Sequence, residues 1–242
     1  MFGITAIGTV SVAYVMSLMA AGLFALSVML LRGAFIDYKL PLLIILIGTL
    51  IAMAAFVLTL GALALGQISQ LNMQRVAIAL ILSAVIFTPV VMAGRALSGV
   101  PLINDIMTDT QNPPQFTVVP TQRKSFDNSL ELSKERLAFH NKHYSHIKPL
   151  RLSGGADSHF DHVVELVGER GWTLVAANRV KGVVEATEST VFFGFKDDVV
   201  IRLSEENGET RIDMRSASRQ GRSDFRVNAQ RITAFFEDLK DD

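Results

Sequence analysis

Three long stretches of this chain carry no charged residue: residues 4–31, 40–66 and 76–94. A helix needs about 20 apolar residues to cross the hydrocarbon core of a bilayer. Each stretch meets that length, so the pattern predicts three transmembrane helices, the first two long enough to tilt. The first makes a poor cleavable leader, because no basic residue precedes it and its apolar run is about twice a typical leader core. Small residues recur at Gly8, Ala20, Ala21, Gly22, Gly48, Ala52, Ala54 and Ala55, and they permit close helix approach within one bundle. Pro89 sits inside the third span, where membrane helices tolerate it. No ionisable residue lies deep in any span, which argues against a pump or coupled transporter and for an anchor.

After residue 97 the pattern changes. Residues 98–128 are punctuated by proline and show no sustained period, so they read as an extended strap. Phe116, Val118 and Val119 are available to add an edge strand or to pin the strap down. Residues 129–140 have helical spacing. Asp157 or Ser158 can cap a second helix reaching about Arg170, with Phe160, Val163, Val164 and Val167 on one face and Gly171 ending it. The period then falls to two, predicting strands over 172–180, 183–194, 198–205 and 209–217. Asn207-Gly208 is a strong two-residue hairpin signal, since both central residues of a type I′ turn need positive φ. That turn places Glu206 opposite Glu209, Arg202 opposite Asp213 and Val200 opposite Arg215. Val199, Ile201 and Leu203 then share a face with Ile212 and Met214. One face of the sheet is apolar and the other charged and solvated, with Arg202–Asp213 an exposed pair worth about 0.2–1 kcal/mol. A final helix runs from about Ser223 to Leu239, capped by Ser223 or Asp224, with Val227, Ile232, Phe235, Phe236 and Leu239 as its buried stripe. The expected architecture is α+β: a three-helix membrane anchor (1–97), the strap (98–128) and a soluble domain (129–242). That domain is a two-layer fold with a four-stranded antiparallel sheet and two covering helices.

Charge separates the halves. Residues 1–99 hold one acid and four bases, and the remainder holds 22 acids and 19 bases, so a net charge of zero is +3 in front and −3 behind. The slightly acidic rear gives no reason to expect nucleic acid. The chain has no cysteine, which excludes disulfides and thiolate chemistry. Arg32 and Lys39 lie between the first two spans, Arg75 between the second and third, and Arg95 after the third. By the positive-inside rule these bases lean weakly toward a cytoplasmic C-terminal half.

The candidate chemistry gathers between Arg215 and Asp224. Arg215, Arg219 and Arg222, the hydroxyls of Ser216, Ser218 and Ser223, and the helix start at Asp224 suit a phosphate, a lipid headgroup or a carboxylate. Lys196, Asp197 and Asp198 adjoin them across the hairpin. The same residues also fit a purely structural role, with Ser223 and Asp224 capping the helix and the arginines paired to Asp197, Asp198 and Asp213. The two aspartates could serve acid–base chemistry or a metal, but at a strand connection they are more simply turn formers. His140, His143 and His146 are spaced by three, as are His159 and His162. Pro149 ends any helix beyond the first set, so no metal site is expected. No phosphate loop, nucleophile elbow or zinc-protease motif is present, and no cofactor is expected.

The segments NDIMTDTQNPPQF, IKPLRL, GFKDDVVIRL and DMRSASRQGRSDFRVNAQRI resemble the bacterial family called domain of unknown function 1499, over residues 100–240. Asn104 and Phe192 depart from its usual residues, and the loop between the second and third spans is less basic than in many relatives. The resemblance implies an uncharacterised integral protein of the bacterial inner membrane whose soluble domain faces the periplasm. Two functional readings follow. The first is a non-enzymatic, membrane-anchored envelope domain that binds an envelope protein, a lipid headgroup or another anionic ligand. The second is an enzyme acting on a phosphate- or carboxylate-bearing envelope substrate through Asp197 or Asp198 with Arg215 and Arg222.

Overall fold

The computed structural model describes residues 2–66, 68, 70–96 and 99–241. Two compact units divide the chain, Met1–Gly99 and Val100–Asp242. The boundary expected at residues 97 and 98 lies outside the described residues.

The first unit comprises helices α1 (Phe2–Gly33), α2 (Lys39–Ala64) and α3 (Met73–Ala96), all long and apolar enough to cross a membrane. Their interior is built from small side chains. Ala20 and Ala52 meet Ile86, and a Cβ on Gly48 would stand 3.5 Å from the Ala20 carbonyl oxygen. Such close approach replaces hydrophobic driving force with dispersion contact. Ser27 Oγ donates to Pro41 O across the first connection at 2.9 Å. Arg75 Nη1 donates to Ser11 Oγ at 3.1 Å. The outward residues, among them Met29, Val57 and Val85, are exposed apolar side chains suited to lipid tails.

The second unit is α+β. Its strands are β1 (Asp105–Met107), β2 (Leu150–Ser153), β3 (Thr173–Asn178), β4 (Val183–Ser189), β5 (Lys196–Glu206) and β6 (Glu209–Ser218). Its helices are a single turn α4 (Val119–Gln122), then α5 (Lys134–Tyr144), α6 (Ala156–Glu169) and α7 (Val227–Asp241). All pairings are antiparallel, in the order β6-β5-β4-β3, with β1 and β2 sharing the outer edge of β6. The sheet therefore has six strands rather than the four expected. The two extra strands are only three and four residues long, too short for a period to announce them. The register of β5 on β6 is the expected one, including Arg202 opposite Asp213 and Val200 opposite Arg215. Asn207 and Gly208 take φ of 56° and 80° at the turn.

α6 and α7 cover one face. Phe160, Val163 and Val167 of α6 and Ile232, Phe235 and Leu239 of α7 form one core with Val199, Ile201, Leu203, Ile212 and Met214. Trp172 stacks on Phe235 with ring centroids 5.4 Å apart. Helix α7 starts at Val227 rather than Ser223, because Phe225 and Arg226 have φ of 55° and 70°, a left-handed conformation that no helix can run through. Val227 consequently falls outside the buried stripe and is exposed.

The opposite face departs most from expectation. It is charged, as the alternation requires, but it is not solvated: Asp198, Asp213 and Glu185 are fully buried and Arg215 nearly so. The cover is the segment between Pro101 and Leu130.

Candidate functional site

Each charge on the covered face meets a group brought by the strap or by a neighbouring strand. Arg215 makes a bidentate pair with Asp105 of β1, Nε to Oδ1 at 2.9 Å and Nη2 to Oδ2 at 2.8 Å. Its guanidinium also donates to Leu130 O and lies 5.2 Å from the Phe116 ring centroid. Asp198 accepts from Arg219 Nε and Nη2 at 2.9 and 2.7 Å, from Arg123 Nε at 2.8 Å and from Thr187 Oγ1 at 2.7 Å. Burial pulls the Arg123 guanidinium below its ordinary pKa, and the nearby Asp198 carboxylate opposes that shift. Asp213 accepts from Arg202 at 2.9 Å, from Arg211 and from Thr108 Oγ1. Arg202–Asp213 is thus part of a buried network rather than a solvated cross-strand pair.

Glu185 has no ion-pair partner among the described residues. Its carboxylate accepts from the backbone N–H groups of Thr117, Val118 and Val119 and from Thr117 Oγ1, at 2.5–3.1 Å. A carboxylate on β4 therefore caps the start of α4, where the dipole and the free amides favour an anion. Proline at position 120 suits the first turn of such a short helix.

The residues singled out between Lys196 and Asp224 divide among three places. Arg215, Arg219 and Asp198 lie under the strap. Asp197, Ser216 and Ser218 lie on the helix-covered side, around Arg231. Arg231 Nη2 meets Asp197 at 2.5 Å, Nη1 donates to Ser216 Oγ at 2.8 Å, and Glu188 and Asn228 complete the group. Asn228 Nδ2 donates to Ser218 Oγ at 3.0 Å. Arg231 carried no signal beyond its place near the end of the resemblance, yet it is the hub of this cluster. Asp224 is buried and accepts from the N–H groups of Arg226 and Asn228 at 3.0 and 2.8 Å; burial raises its carboxyl pKa against those bonds. Ser223 Oγ donates to Pro101 O at 3.2 Å. Only Lys196 and Arg222 of the set are exposed, and neither has an ion-pair partner among the described residues. Arg226, not singled out from sequence, shares that condition.

Asp197 and Asp198 point to opposite faces of β5, so they do not form a carboxylate pair. Among the described residues no group of three His, Asp or Glu side chains could hold a metal ion. Among the described residues, this unit has open clefts of about 290 and 250 Å³. One lies between His146–Leu150 and α7, the other beside Arg179–Gly182, and neither includes the candidate residues.

His140 of α5 is buried. Its Nε2 accepts from Met107 N–H at 3.1 Å, tying α5 to β1, while Nδ1 has no partner among the described residues. Burial lowers its pKa, so the folded protein holds the ring neutral. An unfolded histidine takes up a proton near pH 6.5. Stability is therefore complete above that value and falls as pH drops below it, by up to about 1.4 kcal/mol per pH unit. Thermal melting of the full chain in detergent from about pH 7.5 down to 5 should show this slope. His140→Gln, which keeps an acceptor for Met107, should flatten it, and an equal slope in both proteins would exclude His140 as the cause.

Among curated proteins, a sequence comparison finds no match. The family model described as "Protein of unknown function (DUF1499)" matches residues 105–239. The match begins at β1, includes the strap from Asp105 onward and ends in α7, so it spans both the strap-side and the helix-side charge networks. With its three membrane-competent helices and this match over more than half its length, the chain is a membrane protein that belongs to the DUF1499 family.

Proposed function

We propose that this is a non-enzymatic, membrane-anchored envelope domain that binds a partner or anionic ligand. The reading puts the anchor in a bacterial inner membrane and the domain on the periplasmic side, as the family resemblance implies. One observation carries the binding role. At one end of the sheet the carboxylates Asp197, Asp198 and Glu188 are each engaged by arginine, and Asp224 is turned onto backbone amides. Lys196, Arg222 and Arg226 stay in solvent there without ion-pair partners among the described residues. Asp127 of the strap is engaged there too, accepting from Gln220 Nε2 and Lys124 N–H, so the exposed cations are the groups this surface offers to an incoming anion. The enzyme reading needs Asp197 or Asp198 beside Arg215 and Arg222 in one cleft, and nothing favours it, since these side chains are spread over both faces of the sheet and its rim.

Calorimetric titration of the detergent-solubilised full chain with inorganic phosphate tests the anion site. Saturable binding is expected, and combining Lys196→Gln with Arg222→Gln should weaken it about tenfold or more. Trp172 emission should be unchanged in that variant, because both residues lie outside the core. Absence of saturable binding, or binding indifferent to the two substitutions, would overturn the anion site.

A further inference from the structure

The basic end also carries exposed apolar groups. The connection from β4 to β5 places Val191 and Phe192 in solvent, 91% and 56% exposed, and Phe225 beyond β6 is 41% exposed. These side chains are held out by built structure. Thr190 N–H donates to Phe195 O at 2.8 Å, and Phe195 N–H to Thr190 Oγ1 at 2.9 Å. Phe193 stacks on Phe195 at 5.6 Å and meets Phe192 edge-on at 5.0 Å. The two loops adjoin, because Lys196 N–H donates to Gln220 Oε1 at 3.0 Å and Arg219 N–H to Lys196 O at 2.8 Å. Lys196, Arg222 and Arg226 are exposed on the same two segments. Aromatic tips bordered by cations are the composition that settles at a bilayer interface, apolar bodies among acyl chains and charges at the phosphates.

The tether reaches the domain at the same end. Asp224 N–H donates to Ile103 O, Ser223 Oγ to Pro101 O, and Asn104 O accepts from Ser218 N–H. Helix α3 ends at Ala96, five positions before Pro101, and five residues span at most about 18 Å. The connection between the last span and this end of the domain is therefore short.

We propose that the end of the domain formed by residues 190–196 and 222–227 docks onto an anionic bilayer surface, with Phe192 and Phe225 entering the interface and Lys196, Arg222 and Arg226 on lipid phosphates. This rests on the anion-binding reading above and names the bilayer as the anion's source.

The test uses the full chain reconstituted in phosphatidylcholine vesicles with and without phosphatidylglycerol. Because the native chain has no cysteine, Val191→Cys and, at the far end of the sheet, Asn207→Cys each carry one environment-sensitive fluorophore. Headgroup-region nitroxide lipids should quench the label at 191 in anionic vesicles and leave the label at 207 bright. Neutralising Lys196, Arg222 and Arg226 to glutamine should lower the docked-to-undocked ratio about fivefold per cation, on the order of a hundredfold in all. Phe192→Ser with Phe225→Ser should lower it as well, and unchanged Trp172 emission verifies the fold of each variant. Equal quenching at 191 and 207, a label at 191 that stays bright because a protein covers it, or quenching that ignores both anionic lipid and the three cations would overturn the proposal. Retained phosphate binding with an unquenched label at 191 overturns docking alone and leaves the anion site standing.

Discussion

Asp198→Asn is expected to cost the domain about 3–5 kcal/mol, because it strands two buried guanidinium groups. Asp198 has no exposed surface, and it is the carboxylate shared by Arg123 of the strap and Arg219 at the end of β6. Asparagine keeps the shape and one acceptor but not the charge. A domain whose total stability is about 5–15 kcal/mol should then melt about 10 °C lower, followed through the near-ultraviolet signal of Trp172. Removing all three charges at once, as Arg123→Met, Asp198→Val and Arg219→Met, should cost less than Asp198→Asn alone, since apolar replacement of a whole buried ionic group is often neutral. Arg222→Ala, on the exposed rim, should stay within about 0.5 kcal/mol of wild type. If Asp198→Asn also stayed within that range, the buried network would not be what holds this face closed.

The second large effect is expected at Glu185. Glutamine there leaves a single carbonyl oxygen where two carboxylate oxygens accepted from Thr117, Val118 and Val119, and it turns an N–H₂ group toward backbone donors. Losing charge-assisted bonds and orphaning a buried amide should cost about 3 kcal/mol. The damage should be local, because the apolar core beneath α6 and α7 does not include Glu185. The strap should loosen while the sheet remains.

Both effects concern the part of the fold that was hardest to read. The spans, the Asn207-Gly208 turn, the β5–β6 register and the apolar face under α6 and α7 follow from local signals: charge-free length, two residues that accept positive φ, and period-two alternation. The charged face looked solvated because alternation reports which residues share a face and says nothing about what lies over it. The partners that bury this face are remote in sequence, Asp105 for Arg215 and Arg123 for Asp198, and the strap carrying them has no period of its own. One signal was present. On β6 charges of both signs recur at every second position, Arg211, Asp213 and Arg215, and Arg202, Asp198 and Glu185 stand on the same face of the neighbouring strands, more charge than a solvated face requires.

The site residues divide along the same line. Pairing of Arg219 with an aspartate and capping by Asp224 were available from composition and spacing. The role of Arg231 was not, since a lone arginine one turn into an amphipathic helix has the look of a solvated residue. Amphipathic spacing predicts helix at Phe225 and Arg226, whereas their left-handed backbone leaves Phe225 exposed. The basic, aromatic end of the domain is thus a consequence of tertiary structure.

The central claim is that the strap closes the charged face of the sheet, leaving the basic end as the domain's outward chemistry. Amide hydrogen exchange on the full chain tests it most directly. Thr117, Val118 and Val119 should exchange as slowly as the inner amides of β5 and β6, and Glu185→Gln should speed the three by about a hundredfold while leaving those strands unchanged. Exchange at Thr117–Val119 as fast as at the exposed Asn207-Gly208 turn in the wild-type chain would contradict it.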